Sequence, residues 1–538
     1  MANTSKLNSD KRKVIKYILS ALVLTTFLVS ASIGYKDRIE SGHLDTAGML
    51  DLVSPSRLSN PLQSDYLAAA YGGVLPLIGA SDENVCEVIL SNTDESSNIF
   101  EYHPYLISYL LAALNWVFPF GDAVFLALVM VASLFSGLYF LNRASQDLKL
   151  NLFLRLFFLS LVLIYPVLNK SFLGQPFFDH LMFGLSIPLM FLIRQKVRKP
   201  ESYAVPIVSL TVLLAMVSER GAALACLISF VYFLLLHGRK CFQSRQNIAI
   251  FSAGATSGIW FLIWLKFFQG YSAYGQISLE SFKSRLLSFG HEPAHGQLTV
   301  FFVTSLVFFL LVLASGRLAV IAAISLLPNI LLSIGGAELT GFLTHYHQIY
   351  LPVVLFAALT GFDRVITSLD KIPKLGNQFL SHIQFTLCIL LMCIGISSWN
   401  YAVGSGGVLS VLDGPKQLLW PSSSSIQKIE TEQSRNFREL IAVAEIDNQT
   451  VTTPEEVAPE LQLSGVKDIE YWPLGMGKSE IVLAPFLTGV PIVFPFGDFY
   501  GTGETLSICV QQILEERYEL KQVVLFSGYE YRIYALSN

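Results

Sequence analysis

Asp45 and Asp51 stand six positions apart in SGHLDTAGMLD, residues 41–51, and Glu101 and His103 follow in EYHP further along the same polar segment. A carboxylate held at a membrane surface can take the proton from an acceptor hydroxyl and so act as a general base. Glu219 and Arg220 interrupt two apolar runs in MVSERGAA, residues 216–223. A guanidinium grips phosphate oxygens through its planar fork of donors, which suits Arg220 to a lipid-linked phosphate, with Glu219 beside it. Asp179 and His180 open an apolar run in QPFFDHL, and His345, His347 and Tyr350 lie in THYHQIYLP. Two histidines at i and i+2 are of the right type for metal ligation, but no acid stands at a supporting spacing. That leaves lining of an outward-facing cavity, or anchoring at the interface, as the readings of this group. HEPAH, residues 291–295, is similar in kind and weaker.

These residues take their meaning from the elements that hold them. Of 538 residues 53% are hydrophobic and 14% charged, against about 25% charged in an ordinary soluble domain. The mean hydropathy is +0.53. The fold class expected is an all-α polytopic membrane protein with a C-terminal α/β module. Nothing in the net charge of -4 implies nucleic acid. Apolar runs of spanning length, or nearly so, occur at 14–34, 122–141, 152–168, 177–193, 202–217, 220–237, 247–267, 297–315, 317–334, 347–362 and 381–399, about eleven in all. The first is longer than a signal peptide's apolar region and lacks a clear small-x-small cleavage site, so it is read as an uncleaved span. Six cysteines are scattered without CxxC or CxxxC spacing, which reads as neither a disulfide framework nor a zinc site.

Residues 104–120, PYLISYLLAALNWVFPF, are ambiguous. Lys and Arg gather at the N-terminus, at RQKVRK (194–199), at GRKCFQSR (238–245) and at Arg364, Lys371 and Lys374. All four clusters fall on the cytoplasmic side only if 104–120 lies along the surface as an interfacial amphipathic helix, with Trp116 at headgroup depth. The N-terminus is then cytoplasmic. The first loop (35–103), 169–176, the short turn 218–220, 268–296 and 335–347 face outward. The composition changes at residue 400. Residues 400–538 read as an extracytoplasmic module with a helix near 432–445, strands around EIVLAP and PIVFPF, a helix SICVQQILEERYEL and a closing hairpin QVVLFSGYEYRIYAL. GTGETL, 501–506, reads as a turn and helix cap rather than a phosphate loop.

The acid-bearing first loop, an interfacial helix introduced by His103 and Pro104, and Arg220–Gly221 at a later outer turn together resemble the GT-C superfamily of membrane glycosyltransferases. More closely, the chain resembles an uncharacterised bacterial polytopic membrane-protein family grouped with it. That family's first loop has a pattern like F-D-L-G-I-F-D. Here it reads Leu44, Asp45, Thr46, Ala47, Gly48, Met49, Leu50, Asp51, so Gly48 and Asp51 match and Asp45 is one residue out of register. The family's interfacial pattern H-x-x-P-x-L corresponds to His103, Pro104, Tyr105 and Leu106, with the proline moved. HYHQIYLP resembles the HY segment before a late span, and VAPELQLSGVKDIEYWP resembles the tail. Where many GT-C members carry Lys-Gly this chain has Arg220–Gly221, and in place of the closer family's Lys-Glu-Asp it has Ser218, Glu219 and Arg220.

The resemblance implies a glycosyltransferase of the plasma (inner) membrane, with a sugar on polyprenyl phosphate as donor and an extracytoplasmic glycan, lipid or protein as acceptor. It implies Asp51 or Asp45 as base. A divalent cation, Mg or Mn, is left open. Two other readings stand beside it. A transporter would carry ionisable groups mid-span and repeated, broken spans in two halves, neither of which is visible; a non-catalytic membrane scaffold would need only the soluble module.

Overall fold

The computed structural model describes residues 44–58, 85–90, 105–118, 121–173, 177–199, 202–267, 294–331, 345–370, 377–403, 503–526 and 529–537, with short stretches between 449 and 491. The apolar run 14–34, Glu101, His103, residues 291–293 of HEPAH, the helix expected near 432–445 and the side chains of Asp45, His295 and His345 lie outside the described residues.

The described chain is mostly helical. In order the helices are α1 (Leu44–Val53), α2 (Val85–Leu90), α3 (Ile107–Asn115), α4 (Asp122–Asp147), α5 (Leu152–Leu163), α6 (Pro166–Leu173), α7 (Leu181–Arg198), α8 (Ala204–Val217), α9 (Glu219–Cys226), α10 (Phe233–His237), α11 (Arg245–Phe267), α12 (Ala294–Ala314), α13 (Arg317–Leu331), α14 (Leu351–Asp370), α15 (Asn377–Val403) and α16 (Gly503–Arg517). Long runs of Leu, Phe, Val and Ala become helices because in hydrocarbon every backbone N–H and C=O must be paired within its own segment. Among the described residues four stretches are long and apolar enough to cross a membrane: Asp122–Asp147, Glu219–Phe242, Arg245–Phe267 and Leu351–Leu369. The third of these is largely uncovered by protein, and its Ile259, Leu262 and Ile263 are exposed, as expected of side chains that face lipid.

Two apolar runs carry breaks. The run 152–168 divides at Ile164 and Tyr165, because Pro166 has no N–H to continue a helix and is tolerated only as the first residue of the next one, α6. Between α9 and α10 the chain widens into a π-turn, Leu227–Tyr232, where Ser229 Oγ lies 2.6 Å from Thr211 Oγ1 of α8. Helix α3 falls on the segment expected to be helical, with one face turned inward. Ile107, Leu111 and Ala112 are buried, while Leu110, Leu114 and Trp116 are exposed.

One end of the bundle gathers the basic residues. Arg198 pairs with Asp147, Lys196 Nζ donates to Gln246 Oε1 at 2.7 Å, Arg317 Nη1 donates to the Leu235 carbonyl at 2.8 Å, and Arg364 Nη1 reaches the Ala314 carbonyl at 3.4 Å. These contacts align the ends of α4, α7, α10, α12 and α14 with the starts of α11 and α13.

A second hydrophobic core belongs to the C-terminal module. Its mixed sheet has strands β1 (Val451–Thr453), β2 (Ile469–Tyr471), β3 (Ile481–Leu487), β4 (Val490–Pro491), β5 (Tyr518–Phe526) and β6 (Tyr529–Leu536), in spatial order β2-β1-β3-β6-β5, with β4 on β3. β1 runs parallel to β2 and β3, and β6 antiparallel to β3 and β5. The strand at EIVLAP and the closing hairpin appear as expected. Of PIVFPF only Pro491 lies within the described residues, in β4. Helix α16 begins at Gly503, inside GTGETL, and buries Leu506, Cys509, Val510, Ile513 and Leu514 at helical spacing. It ends three residues short of the expectation, since Tyr518 pairs with Leu536 and starts β5.

Tyr518 is buried, and its hydroxyl faces the carbonyls of Met476 and Ser479, the latter at 2.9 Å. Burial pushes the phenol up to about 12, against a smaller lowering by Arg517. The folded module therefore holds a proton that an unfolded phenol releases near pH 10. This contribution is complete below pH 10 and is lost as pH rises toward 12, about 3 kcal/mol across the window. Thermal unfolding of the purified chain from pH 8 to 11.5 should show this decline, and Tyr518→Phe should flatten it. An equal decline in that variant would remove Tyr518 as the cause.

The cysteine reading is corrected. Cys86 of α2 and Cys509 of α16 form a disulfide with Cα atoms 5.5 Å apart across 423 residues. Sequence spacing carries no information on a pair that far apart, because only tertiary folding brings their Cα atoms within bonding reach. Ile89 and Leu90 pack into the module core beside the bond. A Cβ at Gly477 would stand 2.5 Å from the Leu90 carbonyl, so only glycine permits that approach.

Candidate functional site

At the end of the bundle away from the basic residues, four helix ends meet: the last turn of α6, the 3-10 turn Phe178–His180 that opens α7, the start of α9, and the 3-10 turn His345–Ile349 before α14. Ser218 is extended, with φ −168° and ψ 178°, and caps α9. Its hydroxyl accepts from the Gly221 N–H at 3.3 Å and donates to Asp179 Oδ1 at 3.0 Å. Arg220 Nη1 donates to Asp179 Oδ2 at 2.9 Å, and Arg220 Nε lies 3.4 Å from Glu219 Oε1. One carboxylate thus holds both the cap and the guanidinium at a helix N-terminus, where the helix dipole also favours negative charge. A Cβ at Gly221 would fall 2.3 Å from the Leu214 carbonyl, so glycine lets α9 turn back directly against α8.

The sequence places Glu219 and Arg220 in a short outward-facing turn, 218–220, with Arg220 suited to a lipid-linked phosphate. The structure corrects this: both lie in the first turn of α9, at 1% and 6% exposure, against a fully buried Asp179. The partner charge and the cap make burial affordable, since an isolated ion in such a place would cost several kcal/mol.

Around this cluster the buried His180 ring sets Nδ1 2.8 Å from the Phe177 carbonyl and Nε2 2.8 Å from the Ser171 carbonyl. A neutral imidazole has one N–H, so only the doubly protonated ring donates in both contacts. Gln348 Nε2 donates to Ser171 Oγ at 2.5 Å. His347 Nδ1 lies 2.6 Å from the Tyr350 hydroxyl, and both side chains are buried. The expected lining residues Asp179, His180, His347 and Tyr350 and the expected phosphate-binding residues Glu219 and Arg220 therefore belong to one set of adjoining helix ends.

Asp51 is half-buried on α1, flanked by the buried Met49, Leu50, Leu52 and Val53. Asn115 of α3 ties that helix down, donating from Nδ2 to the Val53 carbonyl at 2.9 Å and to Asp122 Oδ1 at 2.6 Å. Ahead of α3, the Tyr105 ring meets Phe178 edge-on at 5.3 Å, next to Asp179. The carboxylate set against Arg220 is Asp179, and α3 touches the helix bearing Asp45 and Asp51 through Asn115. Replacing Asn115 with Ala should cost about 2 to 4 kcal/mol, because two bonds are lost, one of them to a carboxylate. Thermal unfolding in detergent would check this, and a loss under 0.5 kcal/mol would remove Asn115 as the anchor.

Sequence reasoning missed Ser218 as a cap, although a serine directly before an apolar run is a helix-start signal. It also missed Ser171, Gln348 and the anchoring role of Asn115, which carry no comparable signal. Among the described residues no three His, Cys, Asp or Glu side chains are grouped to hold a metal ion.

No family model matches the chain, and no curated protein matches it.

Proposed function

We propose that the protein is a multi-pass membrane glycosyltransferase of GT-C type, with about eleven spans and the interfacial helix α3, that moves a sugar from polyprenyl phosphate to an extracytoplasmic acceptor. One observation carries the reading: Asp179, Glu219 and Arg220 are collected at helix ends, and α3 links that corner to the half-buried Asp51. Asp51, with Asp45 in the first turn of the same helix, takes the proton from the acceptor hydroxyl. The acceptor oxygen then attacks the anomeric carbon, and the polyprenyl phosphate leaves. Arg220, oriented by Asp179 and Glu219, neutralises the charge that gathers on the departing phosphate. His103, His180, His345, His347 and Tyr350 belong to the surroundings of the donor. A divalent cation remains compatible with the chemistry.

The disulfide supports the topology. Two bonded cysteines share one side of a membrane, so the chain crosses it an even number of times between Cys86 and Cys509. The apolar runs from 122 to 399 number ten, an even count only if α3 lies along the surface. With the basic end cytoplasmic, the first loop and the module lie outside the plasma membrane.

The engagement of Arg220 by Asp179 favours a second reading, a membrane scaffold in which this ion pair only locks helices together. Incubating the purified protein with radiolabelled polyprenyl-phosphate sugars and an envelope acceptor fraction separates the two. Label transferred to acceptor supports the enzyme; donor that is neither bound nor consumed supports the scaffold.

A further inference from the structure

We infer that Cys86 and Cys509 form an oxidative clamp, closed by thiol–disulfide exchange with a disulfide-bearing oxidoreductase after the last membrane helix has been laid down. The distribution of the cysteines carries the inference. Cys226, Cys241, Cys388 and Cys393, which lie in the bundle or at its basic end, are unpaired, whereas the two outside it are bonded to each other. Every described helix from α3 to α15 lies between them in the chain. The bond can close only once both ends have been delivered to the same face, and only where thiols are not kept reduced. Cys86 is the accessible partner, half-buried, while Cys509 is 1% exposed under α2.

The chemistry balances in two displacements. The Cys86 thiolate attacks one sulfur of the donor disulfide, forming a mixed disulfide and releasing the donor's other sulfur as thiolate. The Cys509 thiolate then attacks the Cys86 sulfur, forming the Cys86–Cys509 bond and releasing the donor's second thiolate. Two electrons and, with the ambient proton exchange, two protons pass to the donor, which leaves as a dithiol. In the closed state Ile89 sits in the module core and Leu90 lies against Gly477, so the bond holds α2 against the module.

The test counts thiols in the full-length chain and needs no transferase activity, so its failure is distinct from failure of the proposed function. Membranes are denatured in detergent with a polyethylene-glycol maleimide, with or without prior reduction. The wild-type chain should take up four groups unreduced and all six of its cysteines after reduction. Cys86→Ser and Cys509→Ser should each take up five unreduced. A protease site placed in the serine run 422–425 should give two fragments that separate only on reduction. In cells depleted of extracytoplasmic disulfide-donor activity the unreduced count should rise from four to six. Six groups on the unreduced wild type, or a reducible dimer in place of the internal bond, would overturn the clamp. A count of four that persists in depleted cells would overturn the exchange partner.

Discussion

Replacing Asp179 with Ala is expected to lower the stability of the detergent-solubilised protein by about 3 to 5 kcal/mol, because it strands a buried guanidinium without its counter-charge. Three interactions go together: the Arg220 bond at 2.9 Å, the Ser218 bond at 3.0 Å, and through Ser218 the cap on the Gly221 N–H. Asp179→Asn keeps an acceptor for the serine and should cost less. The informative variant is the double replacement Asp179→Ala with Arg220→Met. Removing both charges should recover much of the loss, as paired apolar replacement of buried ion pairs does elsewhere. Thermal unfolding of the four proteins forms a double-mutant cycle. Strictly additive losses would mean that the two side chains are not coupled, and the corner would lose its organising pair.

Asp51→Asn is expected to reduce sugar transfer roughly 10²- to 10⁴-fold, the range a positioned general base contributes, with little change in melting temperature. Asp51 is half-buried beside buried apolar neighbours on α1, and asparagine preserves its shape while removing the basic carboxylate. The contrast with Asp179 is the point of the experiment. Asp179 variants should lose stability and transfer together, Asp51 variants transfer alone. The assay is the radiolabelled donor incubation, and undiminished transfer by Asp51→Asn would remove the base assignment.

The helical membrane class could be read from composition, because the cost of unpaired backbone in hydrocarbon leaves few alternatives for long apolar runs. The module's hairpin and last helix could be read from alternation and spacing, although the helix ends at Arg517, earlier than its apolar spacing implies, because Tyr518 leaves it to pair with Leu536. Asp179 and Arg220 each stood out as charges at the edge of an apolar run. That they hold one another depends on how α7 and α9 begin side by side, and local pattern does not encode that. Burial of Glu219 and Arg220 was missed for the same reason, since the compensating carboxylate lies some forty residues away. The Cys86–Cys509 pair was the least legible feature, because its partners are joined only by the arrangement of everything between them.

Ile89 is fully buried among side chains that, apart from its neighbours Cys86 and Leu90, come from beyond residue 450. A boundary drawn at residue 400 therefore leaves the module short of one of its own interior side chains. Excised by itself, the C-terminal piece would carry a vacancy about the size of an isoleucine in its interior and should bind a peptide spanning 83–92 to fill it. The unit that folds here is assembled from both ends of the polypeptide, and its borders follow contacts in space.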